Sequence, residues 1–190
     1  QDCERFGAQG ITVHPRPDER HIRRSDVREL APGLGVGLNI EGNPFPELLA
    51  LVREVGPTQC TLVPDSPEQA TSDHGWHLFE SGKPTADFDR LRPIVAELRA
   101  QGIRVSLFLD PEIEQLEGAA RLRVDRIELY TEPYASAFGS AREDQVFDTY
   151  ALAARRAGEL GLGLNAGHDL NLTNLGRIAQ LPGLLEVSIG

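Results

Sequence analysis

Between Gly10 and His21 the chain reads GITVHPRPDERH. Ile11 and Val13 alternate with Thr12 and His14, which is the period of a strand. Pro15 and Pro17 disfavour helix at the residues before them, so the chain stays extended as it leaves. Side chains two apart share a face there, which sets Thr12, His14 and Arg16 on one side. Arg20 and His21 follow closely. An imidazole able to exchange protons near neutral pH and several anion-binding cations thus crowd one strand exit. The alternative reading of the same residues is a solvated, charged loop.

Similar residues recur where later strands should end: Asn39-Ile40-Glu41, Pro64-Asp65, Asp110, Glu128-Leu129-Tyr130-Thr131-Glu132, Asn165-Ala166-Gly167-His168-Asp169 and Gly190. His and Glu pairs suit general acid/base catalysis, and Arg16 and His21 suit phosphate. A divalent metal at His14, His168, Asp110 or Asp169 is conceivable, but the residues have no recognisable ligand spacing. The chain's one lysine, Lys83, falls outside the predicted strands, which leaves no strand lysine for a Schiff base. His74 and His77 fall in a polar loop and receive no role.

The elements that must position these residues follow from periodicity and punctuation. Strands are predicted at Gly35–Glu41, Cys60–Asp65, Arg104–Asp110, Asp125–Thr131, Leu162–Ala166 and Glu186–Gly190, besides the one at Ile11–Val13. Helices are predicted over Ser25–Leu30 with Ser25 as cap, Pro46–Val55, Asp87–Gln101, Pro111–Ala120 with Pro in its first turn, Ala141–Leu160 ended by Gly161, and Thr173–Leu181. Ser66–Gly82 reads as a long mobile loop, and the segment from Thr131 through Gly139 as another loop.

Strands alternating with helices, and no two adjacent hairpin strands, imply parallel strands with crossovers. The expected fold is α/β: a (β/α)8 TIM barrel lacking its first strand and its final helix. Residues 1–190 would be a single barrel domain holding strands 2 to 8, against the ~250 residues usual for the fold. Both ends read as truncated, and the 190 residues alone are expected to show little or no activity. The competing architecture is an open doubly wound sheet, which a GxGxxG turn would favour and which the sequence does not display.

Strand parity favours the barrel. Ile11/Val13, Leu38/Ile40, Val105/Leu107, Ile127/Leu129, Leu162/Leu164 and Val187/Ile189 share one face. The other face carries Thr12, His14, Asn39, Glu41, Ser106, Asp110, Glu128, Tyr130, Asn165 and Ser188. Helices cover parallel sheets, so a recurring polar face should line an interior. Enclosed carboxylates are costly unless paired or functional, which singles out Glu41 and Glu128.

A net charge of -10 argues against nucleic acid or an anionic membrane as partner. No apolar run is long enough to span a bilayer. Two cysteines, Cys3 and Cys60, make no disulfide framework, and reduced thiols in a cytoplasmic protein are expected.

Taken together, TVHPRPDERHI (12–22), NIEGNP (39–44), TLVPD (61–65), VSLFLDP (105–111), RIELYTEPYA (126–135), GLGLNAGHDLNL (161–172) and EVSIG (186–190) resemble the pyridoxine 5'-phosphate synthase family of the deoxyxylulose-5-phosphate-dependent vitamin B6 pathway. The resemblance implies condensation of 1-deoxy-D-xylulose 5-phosphate with 3-amino-2-oxopropyl phosphate to pyridoxine 5'-phosphate, phosphate and water. By motif it implies His14 as general base, Glu41 as a second proton acceptor, His168 as proton donor and Glu128 as a transition-state-stabilising carboxylate. It sets Arg16, His21 and Thr71 on the sugar phosphate, and Asp169, through its backbone, and Gly190 on the amino-ketone phosphate. It implies no metal, no organic cofactor, a homo-octamer, and a loop over Asp65–Gly82 that closes over the site. Two other readings stay open: another phosphosugar-binding barrel isomerase, and a barrel-derived binding protein without catalysis.

Overall fold

The computed structural model describes residues 2–189. In order, it contains α1 (Asp2–Arg5), β1 (Gly10–Val13), α2 (Arg24–Leu30), β2 (Gly37–Gly42), α3 (Pro46–Val55) and β3 (Gln59–Leu62). A short antiparallel hairpin follows, β4 (Phe79–Glu80) and β5 (Lys83–Pro84), then α4 (Ala86–Ala100), β6 (Arg104–Leu109), α5 (Ile113–Leu122) and β7 (Arg126–Tyr130). The chain ends with α6 (Glu132–Ala137), α7 (Glu143–Glu159), β8 (Gly163–Gly167), α8 (Leu175–Ile178) and β9 (Leu184–Ser188).

Seven strands form one sheet in the order β1-β2-β3-β6-β7-β8-β9, every pair parallel. Sheet order follows chain order without reversal. A doubly wound sheet needs a reversal at its switch point, so that alternative is excluded. The sheet curls into a nearly closed barrel. Thr71, beyond β3, touches His168, beyond β8, across its C-terminal mouth.

Register sets the two faces. Thr12 pairs beside Asn39, Glu41 beside Thr61, Thr61 beside Ser106, Phe108 beside Glu128, and Glu128 beside Asn165. These residues point inward and hydrogen-bond sideways: Asn39 donates to Thr12 at 3.2 Å, Thr61 to Asn39 at 3.1 Å, and Gln59 to Thr61 at 3.2 Å. Lower in the barrel, Arg126 pairs with Glu186 at 2.7 Å and donates to Asn165 at 3.2 Å. The opposite face carries Ile40, Leu62, Leu107, Ile127 and Leu164, all buried. They pack in one core with Leu51 and Val52 of α3, Leu91, Val95 and Leu98 of α4, Leu116 of α5 and Tyr150 of α7. Burial of this apolar layer between sheet and helices is the main stabilising term.

Local chemistry moved several boundaries. Ser25 does not cap α2. The helix starts one residue earlier, because carboxylates take its first N–H groups: Arg23 N–H donates to Asp26 and Arg24 N–H to Glu19, both at 3.0 Å. Pro111 lies outside α5, since a tight turn from Glu112 N–H to the Asp110 carbonyl comes first. The segment after Thr131 contains a helix, α6, which buries Tyr134 and Ala137 and has Pro in its first turn. Helix α8 is shorter than its predicted span.

The Ser66–Gly82 stretch is not a mobile loop along its length. Trp76, Leu78 and Phe79 are buried in the main core. The Trp76 indole N–H donates to the Leu62 carbonyl at 2.8 Å, and its backbone N–H to the Phe108 carbonyl at 3.0 Å. The buried Gln115 side chain accepts from the N–H groups of Leu78 and Phe79 and donates to the Phe79 carbonyl. Gly75 lies directly on the end of β6, where a Cβ would overlap backbone atoms of Leu109 and Asp110. Backbone cannot yield as a flexible side chain can. Gly75→Ala is therefore expected to cost about 1–3 kcal/mol or more by overpacking, read as a lowered midpoint in chemical denaturation. An unchanged midpoint would mean that this contact is loose.

Candidate active site

His14 follows β1 directly, and because Val13 pairs with Ile40 it stands beside the end of β2; a tight turn comes next, with Arg16 N–H donating to the His14 carbonyl at 2.9 Å. There His14 Nδ1 lies 3.4 Å from Glu41 Oε1, and its Nε2 lies 3.8 Å from Asp65 Oδ2. Arg16 is buried. It donates through Nη2 to Asp65 at 2.7 Å and through Nη1 to the Gln69 carbonyl at 3.0 Å. Arg20 reaches the same carbonyl at 2.9 Å, and Ser72 Oγ donates to Asp65 at 2.9 Å. The segments after β1 and β3 are thus clamped together over the first two strands.

On the far side of the mouth, His168 and Asp169 leave β8 with positive φ, 91° and 57°. Residues with a Cβ rarely adopt such backbone, at a cost of about 1–3 kcal/mol each. The turn brings the Asp169 carboxylate within 3.0 Å of His168 Nδ1 and Thr71 Oγ1 within 2.9 Å of Nε2. With Nδ1–H donating to Asp169, Nε2 accepts from the Thr71 hydroxyl; on protonation the direction of that second bond reverses. Tyr130 packs edge-on against the imidazole at 5.0 Å between centroids, and burial pushes its phenol up to about 12.

Glu128 sits deeper, 2% exposed, inside the barrel. Burial, then the nearby charge of Glu41, pushes its carboxyl up to about 8, against a smaller opposing effect of the Ser188 hydroxyl. Among the described residues its Oε2 has no hydrogen-bond partner. Gly167 makes room for it, because a Cβ there would collide with Glu128 Oε1. Both effects favour the protonated form of this carboxyl.

His14, Arg16, His21, Glu41, Thr71 and His168 all border one cavity of about 380 Å³ at the C-terminal mouth. Two predicted site residues do not border it: Glu128 lies within the barrel, and the Asp169 side chain is half exposed beside His168. Gly190 falls outside the described residues. Lys83 lies in the small hairpin, and His74 and His77 are exposed. Among the described residues no three His, Cys, Asp or Glu side chains are arranged to hold a metal ion. Asp65 and Ser72 anchor the cluster, and sequence reasoning gave neither a role. The one available signal was a carboxylate directly after a proline at the end of an apolar strand.

A parallel β/α barrel whose histidine and glutamate side chains gather at the C-terminal mouth is the architecture of TIM-barrel enzymes. Two solved barrels share the fold alone: phosphoribosyl anthranilate isomerase from Thermus thermophilus, with a TM-score of 0.59 and 18% identity over 97% of this chain and 78% of that one, and a 4-hydroxy-2-oxoglutarate aldolase, with a TM-score of 0.61 and 13% identity over 97% and 72%. The chain belongs to the family described as pyridoxal phosphate biosynthesis protein PdxJ, whose model matches residues 1–190. It is 52% identical to the pyridoxine 5'-phosphate synthase of Porphyromonas gingivalis over the whole chain and 77% of that protein, and 49% identical to that of Albidiferax ferrireducens over 99% and 76%.

Proposed function

We propose that the protein is a pyridoxine 5'-phosphate synthase that joins 1-deoxy-D-xylulose 5-phosphate to 3-amino-2-oxopropyl phosphate, releasing phosphate and water. The observation that carries this reading is the single cavity bordered by the His14–Glu41 pair, the His168–Thr71 pair, Arg16 and His21. An amine must attack a ketone, water must leave and a ring must close. Each step moves a proton, so several acid/base groups around one pocket are required.

In this reading His14 is the general base, Glu41 the second proton acceptor and His168 the proton donor. Glu128, kept neutral by burial, donates a hydrogen bond to developing negative charge. Arg16, His21 and Thr71 hold the sugar phosphate; the Asp169 backbone and Gly190 hold the amino-ketone phosphate. No metal or organic cofactor is needed. On the strength of the resemblance, the protein is further read as one barrel domain in a cytoplasmic homo-octamer. No helix among the described residues is long and apolar enough to cross a membrane, and the net charge of -10 disfavours nucleic-acid partners.

The test is an assay of the full-length protein with both phosphates. Pyridoxine 5'-phosphate is expected, with one equivalent of inorganic phosphate, and neither should form when one substrate is left out. Interconversion of a sugar phosphate alone, without product from the pair, would replace this reading by an isomerase.

A further inference from the structure

Asp65 has been given no part in the chemistry, yet it is the best-connected side chain around His14. It is 4% exposed, at the end of the segment that leaves β3. Its Oδ2 accepts from Arg16 at 2.7 Å and from Ser72 at 2.9 Å, and faces His14 Nε2 at 3.8 Å. Its Oδ1 is buried without a hydrogen-bond partner among the described residues. A buried carboxylate is retained at a cost, which here is offset by the Arg16 charge and the Ser72 hydroxyl.

The backbone beneath it is held from outside the barrel. Asn43, just past β2, donates through Nδ2 to the Asp65 carbonyl at 2.9 Å. Asn43 Oδ1 accepts in turn from Arg90 Nη2 of α4 at 2.7 Å. The Arg90 guanidinium is fixed by two rings, 5.7 Å from the Trp76 centroid and 6.0 Å from that of Phe45. One chain of contacts therefore runs from α4 through Asn43 to Asp65, and from Asp65 to Arg16 and His14.

We propose that Asp65 is a positioning residue: it orients the His14 imidazole against Glu41 and holds the Arg16 guanidinium at the mouth, with Asn43 and Arg90 as its brace. The proposal rests on the synthase reading for its kinetic consequences but not for its geometric ones. Without the carboxylate, Arg16 loses its charged anchor and swings. His14 then has a single carboxylate, Glu41, to fix its ring. Displacement of a reacting group by about 1 Å can cost on the order of 10²-fold in rate.

Asp65→Asn keeps size and removes charge. It is expected to lower kcat at least tenfold and to raise KM for the sugar phosphate, while KM for the amino-ketone phosphate stays unchanged. Asp65→Glu should regain part of both losses. A purely structural role would not separate the two KM values. Asn43→Ala touches only the brace, serves if Asp65→Asn fails to fold, and should lower kcat severalfold. Wild-type kinetics in folded Asp65→Asn or in Asn43→Ala, or equal rises in both KM values, would overturn the proposal. Ring-nitrogen NMR gives a readout independent of turnover: the His14 signals should shift in Asp65→Asn while those of His74 and His77 stay in place. Unmoved His14 signals would overturn the proposal even if the protein proved not to be this synthase. Absence of product in the wild type, with shifted His14 signals, would instead remove the synthase reading alone.

Discussion

Replacing His14 by Asn or Glu41 by Gln in the full-length protein is expected to lower turnover by ~10²-fold or more, the usual contribution of a positioned acid or base. In the proposed reaction the pair moves protons. His14 Nδ1 faces Glu41 Oε1 at 3.4 Å, long for a hydrogen bond but within reach of the tightening that a bound substrate brings. Both side chains are partly solvated, 21% and 15% exposed, so neither variant leaves a fully buried charge stranded. Folding should change little, and circular dichroism with denaturant midpoints checks that. A folded variant of both residues with wild-type turnover would take the pair out of the mechanism.

The second large effect concerns pH. Glu128 is expected to make the protein less stable as the solution turns alkaline. Its carboxyl is pushed from the ordinary 4.5 up to about 8 by burial and by Glu41. Between those values the folded state keeps a proton that the unfolded chain has released. Folded chains then bind more protons, and unfolding becomes easier as pH rises. The stabilisation is fully present below about pH 4.5 and lost by about pH 8. Each pH unit crossed between those values removes on the order of 1 kcal/mol, so the loss is on the order of a few kcal/mol.

Glu128→Gln keeps the shape and cannot ionise. It should match the wild type near pH 5, exceed it at pH 9, and show a flatter stability profile between. Urea denaturation at those two pH values measures the difference. Parallel profiles for the two proteins would show that Glu128 ionises normally in the folded state. Turnover should fall in the same variant, because an amide N–H is a weaker hydrogen-bond donor to developing negative charge than a carboxylic acid.

What the amino-acid sequence determined by itself is the barrel and its polarity. Alternation such as Ile127-Glu128-Leu129-Tyr130 dictates a strand with unlike faces, whatever surrounds it. Repeating that parity in strands separated by helices leaves a parallel sheet with a polar interior. The observed register bears this out at Thr12 beside Asn39 and Glu128 beside Asn165. Proline bars helix at the exit of β1 through a constraint that is also local, but the extended run expected there is replaced by a tight turn of Arg16 N–H onto the His14 carbonyl.

Other features depended on contacts distant in sequence. Ser66–Gly82 looked mobile because polar residues outnumber apolar ones. Trp76, Leu78 and Phe79 are nevertheless anchored, by Leu62, Phe108 and Gln115, which no window around residue 76 contains. Asp65 looked like one more strand-end carboxylate. Its partners Arg16 and Ser72 lie 49 and 7 residues away, and only folding makes them neighbours. Glu41 and Glu128 had the same standing in the sequence. The tertiary structure separated them, leaving one partly solvated beside His14 and sealing the other behind Gly167, because the cost of a charge is set by the dielectric and the partners around it rather than by its place in the chain.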